Sequence, residues 1–212
     1  DDLGAVIEQV QANNQLDANG TLKGTFTISA EGQSDSNVRS IFTRGWMTSW
    51  QSTLEGQLLN VSPKARLTKV DYGKDPKNYQ AAPIKITFSY EIPEYAVRDG
   101  NLLYFRPMVM NHLYDQVKSY LRINTDLKNR DFGFKDGCSR LVELDETLTL
   151  PKGFNMEGKA RSDSYQSGAA DFNGSLSQQG NKLTLHQKLA LKKRVYEASD
   201  WQGFRTAVNM HK

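Results

Sequence analysis

One cysteine, Cys138, in a chain of 212 residues excludes an internal disulfide and a thiolate metal cage. Histidine is nearly as scarce. His112, His186 and His211 lie far apart, and none falls into the H-x-x-x-H or H-x-H spacing that sets two imidazoles on one metal, so no metal or cofactor site is read. Long apolar runs are missing too, and no window approaches the roughly 18 residues a membrane-crossing helix needs. The opening "DDLGAVIEQVQ" carries neither the basic nor the apolar region of a secretory leader, and there is no initiator Met, so the sequence reads as a mature or excised piece. An excess of one charge is absent. Lys and Arg number 27 against 24 Asp and Glu, a net charge of +3, and the short run Lys192-Lys193-Arg194 ends an alternating stretch; no basic stripe interleaved with aromatics suggests nucleic acid. "GKDPKNYQ" is a turn-rich loop, not a phosphate-cradling glycine motif, and no Asp-x-Asp-x-Asp-Gly calcium loop occurs.

What is there is alternation. With 38% hydrophobic residues and a mean hydropathy of −0.62, the chain fits a β-rich protein with broad solvated sheet faces. Residues 5–15 alternate loosely; "DANG" then supplies an Asn-Gly turn, and Leu22, Phe26 and Ile28 share one face of the following strand, which predicts a hairpin. Ile84, Ile86, Phe88 and Tyr90 alternate strictly, Asp99-Gly100 signals a second hairpin, and Val142, Leu144, Leu148 and Leu150 define another strand. Near the end, two long strands joined at Gln179-Gly180-Asn181 turn Leu183, Leu185, Leu189 and Leu191 inward.

Helical spacing interrupts this pattern. Val38, Ile41, Phe42, Trp46, Trp50, Leu54, Leu58 and Val61 step by three and four until Pro63, predicting one long helix near 36–60, capped by Ser34 or Ser36 and laid on a sheet face. Residues 108–122 predict a short helix with Met110, Leu113, Val117 and Leu121 on one side. Trp201, Phe204 and Val208 predict a short C-terminal helix opened by a Ser199–Gln202 capping box. The fold class expected is therefore mainly β with helices (α+β), in antiparallel, sandwich-like sheets. The irregular loop at 123–137 is the natural seam between a β unit with inserted helix (1–122) and a β meander with C-terminal helix (123–212), unless both form one continuous domain.

For chemistry, the order Cys138, His186, Asp200 mimics a cysteine hydrolase triad. Such a Cys opens a helix, whose N-terminus lowers the thiol pKa. Here the residues after Cys138 alternate with period two, His186 falls opposite the inward leucines, and Asp200 belongs to a helix N-terminus, so no catalytic residue is assigned and the three remain candidates only. "ELDE" at 143–146 sends alternate carboxylates to opposite faces. Trp46, Trp50 and Trp201 could stack on sugars, but all three lie on apolar helical stripes and read as core. Asn19, Asn60 and Asn173 match the glycosylation acceptor pattern, which three chance hits also explain.

The succession "LDANGTLKGTFTISAEG", an Arg-containing helix, "PIKITFSYEIPEYAVRDGNLLYFRP", "ETLTLPKGF", "NGSLSQQGNKLTLHQKLAL" and "SDWQGFRTAV" resembles the C-terminal β domain of unknown function in secreted bacterial transglutaminase-like proteins. The resemblance implies a noncatalytic accessory or interaction module whose partner is an upstream transglutaminase-like domain of the same polypeptide. It also implies a periplasmic or extracellular location. Two alternatives stand beside it: a carbohydrate-binding or envelope-adhesion module, and a hydrolase using Cys138 and His186.

Overall fold

The computed structural model describes residues 7–80, 83–111, 113 and 119–212. Its first two strands, β1 (Ile7–Leu16) and β2 (Leu22–Ala30), form the expected hairpin. The Asp17 carboxylate accepts the N–H groups of Asn19 and Thr21 at 2.9 Å each, and Gly20 takes the left-handed φ of 86° that an L side chain resists. Two helices follow, α1 (Gln33–Thr43) and α2 (Trp50–Val61), then β3 (Arg66–Asp71), β4 (Ile84–Ile92) and the small hairpin β5 (Val97–Asp99) and β6 (Leu102–Tyr104). The remainder comprises β7 (Phe134–Lys135), β8 (Arg140–Thr149), β9 (Arg161–Gln166), β10 (Ala170–Gln179), β11 (Lys182–Leu191), β12 (Val195–Tyr196) and α3 (Trp201–His211).

Eight strands make one sheet in the order β3-β4-β2-β1-β8-β11-β10-β9. Every pairing is antiparallel except the central one, where β1 lies parallel to β8. Strands from both sides of the 123–137 loop thus share one sheet. Alternation sorts the two faces: Val10, Phe26, Phe88, Val142, Leu144 and Leu189 are buried on one, while Gln11, Asn13, Lys85 and Lys188 are exposed on the other. Each fully buried Leu, Val or Phe contributes about 1.5–3 kcal/mol, so the core sits entirely on one side. Its cover is helical, not a second sheet as a sandwich would have: α1 and α2 lie over the β1–β4 half, a 3-10 turn at Met108–Asn111 over β1 and β8, and α3 over β9–β11.

Several expectations need correcting. The single long helix is two. α1 starts at Gln33 after Gly32, with Ser34 and Ser36 inside its first turn, and residues 44–49 break the run. Trp46 takes an extended ψ of 150° and stands 82% exposed, whereas Trp50 is 5% exposed. The Trp50 indole N–H donates to the Phe42 carbonyl at 2.7 Å, occupying an acceptor at the end of α1, and its ring meets Phe42 and Tyr72 edge-on. In the 108–122 stretch the described residues form 3-10 turns at Met108–Asn111 and Ser119–Arg122; Leu113 is buried, and Val117 lies outside the described residues. The first of the two long terminal strands is β9 and β10. Between them Ser167 Oγ accepts the N–H groups of Ala169 and Ala170 at 3.2 and 3.0 Å, turning the chain. At the C-terminus the capping carboxylate is Asp200, which accepts the Glu197 N–H at 2.9 Å, while Gln202 reaches instead to Asn129 Oδ1 at 3.1 Å.

A polar thread crosses the apolar face. Tyr90 donates to Asn14 Oδ1 at 2.5 Å, and Asn14 Nδ2 donates to Glu146 Oε1 at 2.8 Å. The other Glu146 oxygen accepts the Val109 N–H at 3.0 Å and so holds the 3-10 turn onto the sheet. Burial pushes the Glu146 carboxyl above its ordinary range, against the pull of these hydrogen bonds, and raises Tyr90 strongly.

Candidate functional site

The three triad candidates do not meet. Cys138 sits half-buried in the bend between β7 and β8, and burial pushes its thiol up, away from the thiolate that a nucleophile requires. In the β8–β11 ladder His186 faces Asp145 while Leu191 faces Arg140. Cys138 lies beyond Arg140, so at least five strand steps, about 17 Å, part it from His186. His186 instead binds Asp145 on the solvated face, Nδ1 to Oδ1 at 2.6 Å. Asp200 pairs with Lys193 at 2.7 Å, and that ammonium, followed by the Glu197 N–H, holds its carboxyl below the usual range. Of the histidines, His211 is buried on α3 and His112 lies outside the described residues. Among the described residues no group of three His, Cys, Asp or Glu is placed to hold a metal, and no helix is long and apolar enough to cross a membrane.

The tryptophans divide. Trp201 packs with Phe134 and Phe204, and Arg130 stacks over both Phe134 and Trp201 at 4.8 and 5.0 Å. Trp46 is exposed, but among the described residues no exposed aromatic ring contacts it.

Sequence reasoning missed an apolar cleft of about 340 Å³ at one end of the buried sheet face. Leu16, Leu150, Leu176 and Leu183 form its floor, strand β6 and the residues up to Pro107 one wall, and the 151–157 loop the other. Both walls are fixed from behind. Gln178 accepts the Met156 N–H at 2.5 Å and donates to the carbonyls of Phe154 and Gly180 at 3.2 and 2.7 Å. Opposite, the Tyr95 hydroxyl donates to the Arg106 carbonyl and accepts from Asn111 at 2.7 Å. Glu157 is the one charged residue among those lining the cleft. A second hollow of about 250 Å³ shares Leu176 and continues past Leu185 to Gln187, beneath Met210 of α3. The period-two leucines pointed to the floor, but the walls come from segments with no periodicity.

Fold and site together define a one-sided, mixed β-sheet domain with a helical cover and an open apolar cleft. The family described as a Domain of Unknown Function with a solved structure (DUF3858) matches residues 101–212, from the tip of the β5–β6 hairpin through α3, and the chain belongs to that family. No protein of curated function matches the chain. Among solved structures, a "putative protease" from Parabacteroides distasonis ATCC 8503 is similar over 44% of this chain at 13% identity and a TM-score of 0.39, a match spanning 18% of that chain's length.

Proposed function

We propose that this chain is a noncatalytic accessory module that works by binding, set C-terminal to a transglutaminase-like domain in a secreted bacterial protein. The reading draws on the succession of turns and strands quoted above for its context. The observation that carries its noncatalytic part is the setting of Cys138: a half-buried thiol raised by burial, in a bend, with His186 and its carboxylate partner Asp145 about 17 Å along the ladder. A nucleophile so placed has neither the base nor the helix terminus that lowers a thiol pKa. An open cleft with anchored walls suits an interaction surface.

Thiol labelling across pH tests the proposal. Cys138 is expected to label slowly at pH 6 and to accelerate only above the free-thiol range of about 8.5. Fast labelling near pH 6 that Cys138→Ser or His186→Ala abolishes would overturn the accessory reading in favour of a hydrolase.

A further inference from the structure

We infer that the cleft beside β6 is a peptide-binding groove that takes an extended segment with alternating apolar side chains and a cationic residue opposite Glu157. Three observations converge. The first is shape: the two hollows share Leu176 as a wall, and the second reaches under Met210 of α3 along the inner face of β10 and β11, so the apolar floor is elongated, suiting an extended chain better than a compact molecule. The second is backbone chemistry. Among the described residues β6 pairs only with β5, which leaves the other edge of Leu102–Tyr104 to offer main-chain donors and acceptors beside the cleft. A strand added there would drop every second side chain onto the leucine floor. Val97, Leu102 and Tyr104, all large and exposed, make this hairpin an apolar surface that water covers poorly.

The third observation concerns polarity. Glu157, the single charge on the cleft, complements a cation. Beyond Leu176 the second hollow is lined by Arg161 and Asp163, one charge of each sign, so the carboxylate of Glu157 sets the polarity at the β6 end. A carboxylate asks for a donor, which a lysine-bearing peptide supplies and a hydrocarbon does not. Because Gln178 and Tyr95 anchor the walls, the groove is already formed, and binding has little loop ordering to offset.

The inference rests on the accessory-module reading only in treating this surface as a binding one. Its test is a methyl and amide NMR titration of the full chain with an end-blocked octapeptide of alternating valine and lysine, beside a twin carrying glutamate for lysine. The lysine peptide is expected to shift Leu103, Leu176 and Leu183 with saturation below about 1 mM. Glu157→Lys, an exposed change that leaves the fold intact, should weaken it about fivefold and strengthen the glutamate twin. No shift at these residues up to about 1 mM, shifts confined to the opposite polar face, or indifference to Glu157→Lys would each overturn the inference. So would toluene shifting the same leucines while neither peptide does, since the cleft would then be a site for small apolar molecules. None of these outcomes alters the Cys138 labelling, so the two readings fail separately.

Discussion

Tyr90 and Asn14 are joined by a 2.5 Å hydrogen bond although strand β2 runs between them. The residue of β2 in register with both is Gly24, and its missing side chain is the gap through which the tyrosine reaches. A Cβ at Gly24 would stand 2.0 Å from Asn14 Oδ1. Gly24→Ala therefore forces the thread apart and leaves buried polar groups unpaired, at a cost of about 2–4 kcal/mol measured by urea denaturation. A variant with wild-type stability would show that the thread is dispensable.

Trp46 and Trp50 should respond unequally. Trp50→Ala empties a site walled by Phe42 and Tyr72 and deletes the indole hydrogen bond, so a loss of about 3–5 kcal/mol is expected. Trp46→Ala, on an exposed ring, should stay within about 0.5 kcal/mol. Paired thermal melts decide, and equal shifts would contradict the broken helix.

Glu146 gives stability a pH signature. Its folded pKa is raised by burial, so the folded state holds the proton more tightly than the unfolded chain. The stabilisation is full below the unfolded value of about 4.3 and is lost as pH rises through the raised folded value. Replacing the carboxylate by its amide removes that loss. Unfolding free energies of wild type and Glu146→Gln should accordingly diverge with rising pH above about 4, in favour of the amide. Parallel curves would mean that Glu146 titrates as in the unfolded chain.

The C-terminal helix is structural. Trp201, Phe204 and Val208 are buried, and Trp201 Nε1 donates to the Leu127 carbonyl at 3.0 Å, pinning the preceding loop. Truncation after Ala198 should bare the β10–β11 face and lower solubility, read by dye binding and sedimentation. A truncated chain as soluble and as stable as the whole would overturn this packing.

Much of the sheet was legible because burial on one face writes a period of two into the sequence; Ile84 to Tyr90 and Val142 to Leu150 show it directly. The hairpin turns were equally plain from Asn19-Gly20, Asp99-Gly100 and Gly180. Trp46 misled because 42, 46 and 50 keep helical spacing across a break, and periodicity alone cannot register a turn that preserves it. The parallel pairing of β1 with β8 joins residues distant in sequence and leaves no local mark. Nor does the cleft, whose floor alternates but whose walls depend on Gln178 and Tyr95, two side chains that resemble any surface glutamine or strand-end tyrosine.

That parallel seam sets the order of assembly. The hairpins on either side close over short loops, but Gln9 meets Glu143 only after 134 residues of separation are bridged, and Asn14 meets Glu146 after 132. Loop entropy makes such a contact slow to form, so the local strands on either side are expected to pair before β1 finds β8. During synthesis β1 must wait, with one edge open, until β8 has emerged. The first strand of this sheet to be made is thus among the last to be completed, and the interval before that union is when the sheet is most exposed to mispairing.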